Sequence, residues 1–125
     1  MLIEQLKACA QPCALYAIGT NSIAAAAMMK AGADFGATGE NPAVVNCRDA
    51  DVIAGPIGIV IADSLIGEVT PVIAQAAGSS PAEKVLLPIN RCNNQVVGVR
   101  ELPIAELIAL AVQHIQTTLQ AGKDD

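Results

Sequence analysis

The chain has 125 residues, a net charge of −5 and 53% hydrophobic residues, yet only two aromatic ones, Tyr16 and Phe35. That length is one ordinary domain, residues 1–125, and an acidic balance with so few rings excludes nucleic-acid binding, which needs phosphate-neutralising charge and stacking surface. No stretch reaches the ~18 uncharged apolar residues of a membrane span, and "MLIEQLKACAQ" lacks the basic region of a signal peptide, so a cytoplasmic protein without a membrane partner is expected.

Residues 2–8 read as the end of an amphipathic helix, with Leu2, Ile3 and Leu6 on one side and Glu4, Gln5 and Lys7 on the other. Pro12 stops it, and "CALYAI", 13–18, is a short buried strand. Thr20 or Asn21 can cap the helix "SIAAAAMMKA", which ends at Gly32. "ADFGATGEN" is rich in turn residues, with a brief strand at 34–37. Asn41 followed by Pro42 reads as a cap and a first-turn proline, opening a helix that runs to about Asp49. "DVIAG", 51–55, is continuously apolar between an acid and a Gly-Pro, as a parallel strand would be. "PIGIVIADSLIG" fits an extended segment or a loop equally well.

Thr70 and Pro71 open the helix "VIAQAA", which Gly78 closes. "KVLLPI", 84–89, is the next strand. "QVVGV", 95–99, follows too closely for a crossover, so these two are expected to pair as an antiparallel hairpin. The last helix, 103–120, carries the stripe Ile104, Leu107, Ile108, Ala111, Val112, Ile115 and Leu119, and 121–125 form a frayed tail. His114, the single histidine, sits at the border of that stripe and leaves Ser–His or Cys–His catalysis little to work with. The cysteines at 9, 13, 47 and 92 are expected as thiols, and the C-x3-C of Cys9 and Cys13 lacks zinc spacing, so no metal site is expected.

Strands alternating with helices imply an α/β, Rossmann-like three-layer fold: a mostly parallel sheet with one antiparallel hairpin strand near the C-terminus. Ligands of such folds bind outside the carboxyl ends of the strands. Four loops should gather there: Gly19, Thr20 and Asn21; Thr38, Gly39, Glu40 and Asn41; Gly55, Pro56 and Gly58; and Asn90, Arg91, Cys92 and Asn93. Glu40 is the general-base candidate and Arg91 the anion contact. Cys92 is a nucleophile candidate, because a neighbouring cation lowers a thiol pKa. Loops that lead into helix N-termini favour anions. The same residue types also build ordinary turns and caps. Ser64 and Glu68, flanking Gly67, read as a cap for the helix near Thr70. Neither G-x-G-x-x-G nor a P-loop motif occurs.

"LYAIGTNSIAAAAMMKAGADFGATGENPAVVN", "ADVIAGPIGIVIADSLIGEVTP" and "KVLLPINRCNNQVVGV" together closely resemble a family of small bacterial proteins, the domain of unknown function 3842, from about residue 2 to residue 119. The motifs G-T-N, G-A-T-G-E-N, G-P-I-G-I, G-E-V-T-P and P-I-N-R-C-N match in order and spacing. The resemblance implies a first strand and a glycine-rich turn ahead of the first helix, a start similar to a dinucleotide-binding βα unit. Met1-Leu2-Ile3 falls inside that helix, so a central strand and its phosphate cradle are expected to be missing, leaving an open edge or gap that predicts dimerisation, poor solubility or partial disorder. Two functional expectations follow. One is binding of a small anionic ligand, a nucleotide or dinucleotide, with or without catalysis. The other is a non-catalytic regulatory or assembly module that forms a homo-oligomer.

Overall fold

The computed structural model describes residues 2–8, 13–89 and 93–124. Cys9, Pro12, Asn90, Arg91 and Cys92 lie outside the described residues. In chain order the elements are α1 (Leu2–Lys7), β1 (Tyr16–Gly19), α2 (Ser22–Lys30), β2 (Phe35–Thr38), α3 (Glu40–Asp49), β3 (Val52–Pro56), a 3₁₀ helix (Ile57–Val60), α4 (Pro71–Gly78), β4 (Glu83–Leu87) and α5 (Ile104–Asp124). The α/β alternation is present. The strands form two separate parallel pairs, β1 with β2 and β3 with β4.

Small residues set how closely each helix approaches its strands. A Cβ on Gly19 would stand 2.8 Å from the Ala25 backbone nitrogen, and one on Gly36 would stand 2.7 Å from Met29 Cγ, so α2 lies directly on the β1–β2 pair. Asn21 caps α2 by accepting from the Ala24 N–H at 2.8 Å, and Thr70 caps α4 by accepting from the Ile73 N–H at 3.2 Å.

Three expectations need correction. No antiparallel strand joins β4 among the described residues. Residues 95–99 contain a turn at 97–98, Gly98 has φ +88°, and Val97 is 97% exposed, so a turn interrupts this β-branched run in place of the expected ladder. Helix α3 begins at Glu40 with Gly39 as its N-cap, which places Asn41 inside the first turn rather than at the cap. Helix α5 continues through residues 121–124, and Ile104, at its first position, is 52% exposed and lies off the core. The segment open to two readings is the 3₁₀ helix followed by turns.

The core is a cluster of Leu6 from α1 with Ile108, Val112 and Ile115 from α5. Leu2, Leu15, Val52, Ala54, Val85 and Leu119 pack against it, so it draws on both strand pairs. A six-residue helix is too short to persist alone. Packing against α5 therefore holds α1, together with an ion pair from Lys7 Nζ to Asp34 Oδ1 at 2.6 Å.

Asp34 also accepts the Leu15 N–H at 2.7 Å. That bond first, and Lys7 second, hold its carboxyl below the usual carboxylate range. On β4, Glu83 accepts from His114 and from Thr118 Oγ1 at 2.8 Å, which lowers its carboxyl likewise and ties α5 to the strand. The border position of His114 thus becomes a link between two elements.

Ile115→Ala should cost about 2–5 kcal/mol in urea unfolding, whereas Ile104→Ala should cost no more than about 0.5 kcal/mol. A carboxylate with a lowered folded pKa stabilises the fold above its unfolded pKa, and that contribution is lost as pH falls through the folded value. The Asp34→Asn/Glu83→Gln variant should therefore lose less stability than the parent between roughly pH 5 and pH 3, read as the urea midpoint against pH.

Candidate functional site

The carboxyl ends of β1 and β2 meet through their backbones, where the Gly39 N–H donates to the Gly19 carbonyl at 3.2 Å. Gly19 has no alternative, because a Cβ there would meet backbone atoms at 2.8 and 2.9 Å. Thr38 ends β2, and the segments after these two strands carry Thr20, Asn21, Glu40 and Asn41 to the same edge.

A third loop reaches them. Glu68, 47 residues beyond Asn21, accepts from Asn21 Nδ2 at Oε1 and from Thr20 Oγ1 at Oε2, each at 3.2 Å. Two residues on, Thr70 Oγ1 donates to Glu40 Oε2 at 2.7 Å. Two carboxylates, three donor side chains and two glycine turns thus converge from loops far apart in sequence. Asn21 uses its oxygen for its own helix and its amide for Glu68, so its orientation is fixed at both ends.

The backbone that presents Glu68 is strained. Leu65, Ile66 and Gly67 have consecutive φ values of +56°, +56° and +84°, and Asp63 has +64°. A β-branched residue in this left-handed region is an outlier, and Ile66 gains no burial in return, being fully exposed. The loop is held from beneath. Val69 is fully buried, its N–H donates to the Ser64 carbonyl at 3.2 Å, and its carbonyl accepts from the Asp63 N–H at 2.7 Å. Ser64 is buried and donates its hydroxyl to the Gly58 carbonyl. Ser64 and Glu68 therefore do not cap α4, which Thr70 caps itself. One anchors the loop and the other projects from it.

Gly39 has φ +101° and ψ −173° and offers no side chain to cap α3, so the first N–H groups of this ten-residue helix have no side-chain cap. Gly55 and Gly58 are buried. Gly55 receives the Ile59 side chain and Gly58 carries the Ser64 bond, so both support the 3₁₀ helix. Asn90, Arg91 and Cys92 follow β4 outside the described residues.

An open groove of about 340 Å³ lies elsewhere, between α3 and α4, lined by Val44, Cys47, Arg48, Val72, Gln75 and Ser79 among others. Cys47 is seven residues past Glu40, about 10 Å along the helix. Ser79 Oγ donates to the Gln75 carbonyl and Ser80 Oγ to the Cys47 carbonyl, so these hydroxyl protons serve the fold. Burial pushes the Cys47 thiol pKa up, away from the nucleophilic form.

The family described as "Domain of unknown function (DUF3842)" matches residues 1–120. The chain belongs to this family. No curated protein and no solved structure matches it. The G-T-N, G-A-T-G-E-N and G-E-V-T-P stretches through which the chain resembles the DUF3842 family are the three segments that meet at this edge, and the third supplies Glu68 and Thr70. Those two were absent from the expected site, and the signal for them was the motif rather than any local pattern. Among the described residues no helix is long and apolar enough to cross a membrane.

Gly39→Ala should destabilise the protein by about 1–3 kcal/mol from backbone strain alone, since a Cβ there has open space around it. Ile66→Asn should raise stability by about 1 kcal/mol, because Asn tolerates the left-handed region. Both are read from urea unfolding curves, and no change in either variant would mean that the two turns relax in solution.

Proposed function

We propose that the carboxyl edge of β1 and β2 binds a small ligand that combines an anionic group with hydroxyls, the class to which nucleotides and dinucleotides belong. The observation that carries this reading is the convergence of Glu68 on Thr20 and Asn21. The N-terminus of α3 takes the anionic group, since its leading N–H groups have no side-chain cap and Gly39 lets a ligand approach the backbone. Glu68 and Glu40 take the hydroxyls, as they accept hydroxyl donors from Thr20 and Thr70. Glu40 is exposed and within reach of a bound hydroxyl, the position of a general base. Arg91 would add a cation and Cys92 a thiol from the end of β4.

The test is thermal unfolding with ATP, NAD⁺ and ribose 5-phosphate at millimolar concentration. A ligand present at 100 times its Kd adds about 2.7 kcal/mol of stability. A rise in Tm with at least one of them, lost in Glu68→Ala, is the expected outcome. An unchanged Tm with all three sinks the reading.

One observation favours the second reading, an assembly module. Tyr16 and Phe35 stack with centroids 4.7 Å apart and are each more than half exposed. Aromatic residues are enriched where proteins dock. Sedimentation equilibrium should then give a homo-oligomer that Tyr16→Ser dissociates, and a monomer across the concentration range removes it.

A further inference from the structure

Among the described residues the hydrogen-bond register leaves two strand edges without a strand partner. The Leu15 carbonyl accepts from the Phe35 N–H, and the Gly19 carbonyl accepts from Gly39, each at 3.2 Å. In a parallel ladder alternate residues bond to the same neighbour. Leu15, Ala17 and Gly19 therefore face β2, while Tyr16 and Ile18 turn their peptide groups to the opposite edge. On β3 the Asp51 carbonyl accepts from the Glu83 N–H at 3.2 Å, so Ile53 and Gly55 face β4, while Val52 and Ala54 turn theirs away. Neither outward set pairs with another strand among the described residues.

These two edges belong to the strands that share one core cluster and one set of loop contacts. Leu15, at the entry to β1, shares the α1–α5 core with Val52 and Ala54 of β3. At the other end, the loop after β1 is bonded to Glu68 in the segment that follows β3. The carboxyl ends therefore coincide, and the edges run in the same direction. Val52, Ala54 and Ile18 are half-buried, and polar backbone in such a position is normally paired.

We infer that the slot between β1 and β3 accepts a fifth strand, an extended uncharged peptide segment from outside these 125 residues, through the peptide groups of Tyr16, Ile18, Val52 and Ala54, which are unpaired among the described residues. The required chemistry follows from the walls. Both long sides offer backbone donors and acceptors, so the segment needs both of its own edges free. The core cluster of α1 and α5 closes one face, so side chains there must be apolar, as in the continuously apolar central strands of parallel sheets. A second copy of this chain is a poor donor. Each of the four strands among its described residues has one edge already paired, and its loose β-branched run at 95–99 is broken by the turn at Gly98.

The experiment is amide hydrogen exchange read residue by residue on the full chain, with the capped, uncharged peptide Gln-Thr-Val-Ile-Val-Thr-Gln as probe. In the free protein the amides of Tyr16, Ile18, Val52 and Ala54 should exchange at least about tenfold faster than those of Ala17 and Ile53, which are bonded within their pairs. Millimolar peptide should slow the four by about tenfold or more, and the same peptide N-methylated at alternate residues should not. Three results would overturn the inference. The four amides could be as protected in the free protein as Ala17 and Ile53, which means a closed slot. Peptide could leave them unchanged. Their protection could rise with protein concentration alone, which makes a second copy the occupant.

Discussion

Two strand pairs that share no backbone ladder must be aligned by something else, and here side chains do it at both ends. At the amino end Leu15 leaves β1 to join the cluster that Val52, Ala54 and Val85 build with α1 and α5. At the carboxyl end Glu68 holds Thr20 and Asn21, and Thr70 holds Glu40. A ladder spreads its restraint over every residue, whereas these contacts concentrate it at two points. The polar clasp therefore fixes how the loops after β1 and β2 stand against the segment that carries Glu68 and Thr70.

The clasp is costly in backbone terms. Left-handed conformations at Leu65 and Ile66 oppose the fold by about 1–2 kcal/mol each. They persist because Val69 and Ser64 are buried on either side and leave the loop no relaxed path. Strain supported in this way tends to collect at sites where geometry serves more than stability. The Glu68 hydrogen bonds are exposed and weak singly, so packing beneath the loop fixes the carboxylate's position and the bonds register it.

Local features were legible in the sequence because local chemistry determines them. The caps at Asn21 and Thr70, the stripe of α5 from Leu107 to Leu119, and the apolar run of β3 all follow from side-chain type and spacing. The gathering of the G-T-N and G-E-N loops followed from strand direction alone. Contacts between distant segments were not legible: nothing near Glu68 announces Thr20 and Asn21. Residues 95–99 show the limit of propensity, since Gln95 to Val99 reads as a strand and the left-handed Gly98 interrupts it. The expected site divides on the same line. Glu40, Thr20 and Asn21 meet at the edge, while Gly55 and Gly58 serve the turn that carries Ser64.

Tyr16 is a built-in optical probe of one place in the fold. The chain has one tyrosine and no tryptophan, so its near-ultraviolet absorption and emission come almost wholly from a single phenol ring. That ring lies on β1, stacked on Phe35 and half in solvent. Quenching, anisotropy and near-ultraviolet dichroism of the unlabelled protein therefore report on one location, with no mutation needed to make the signal local.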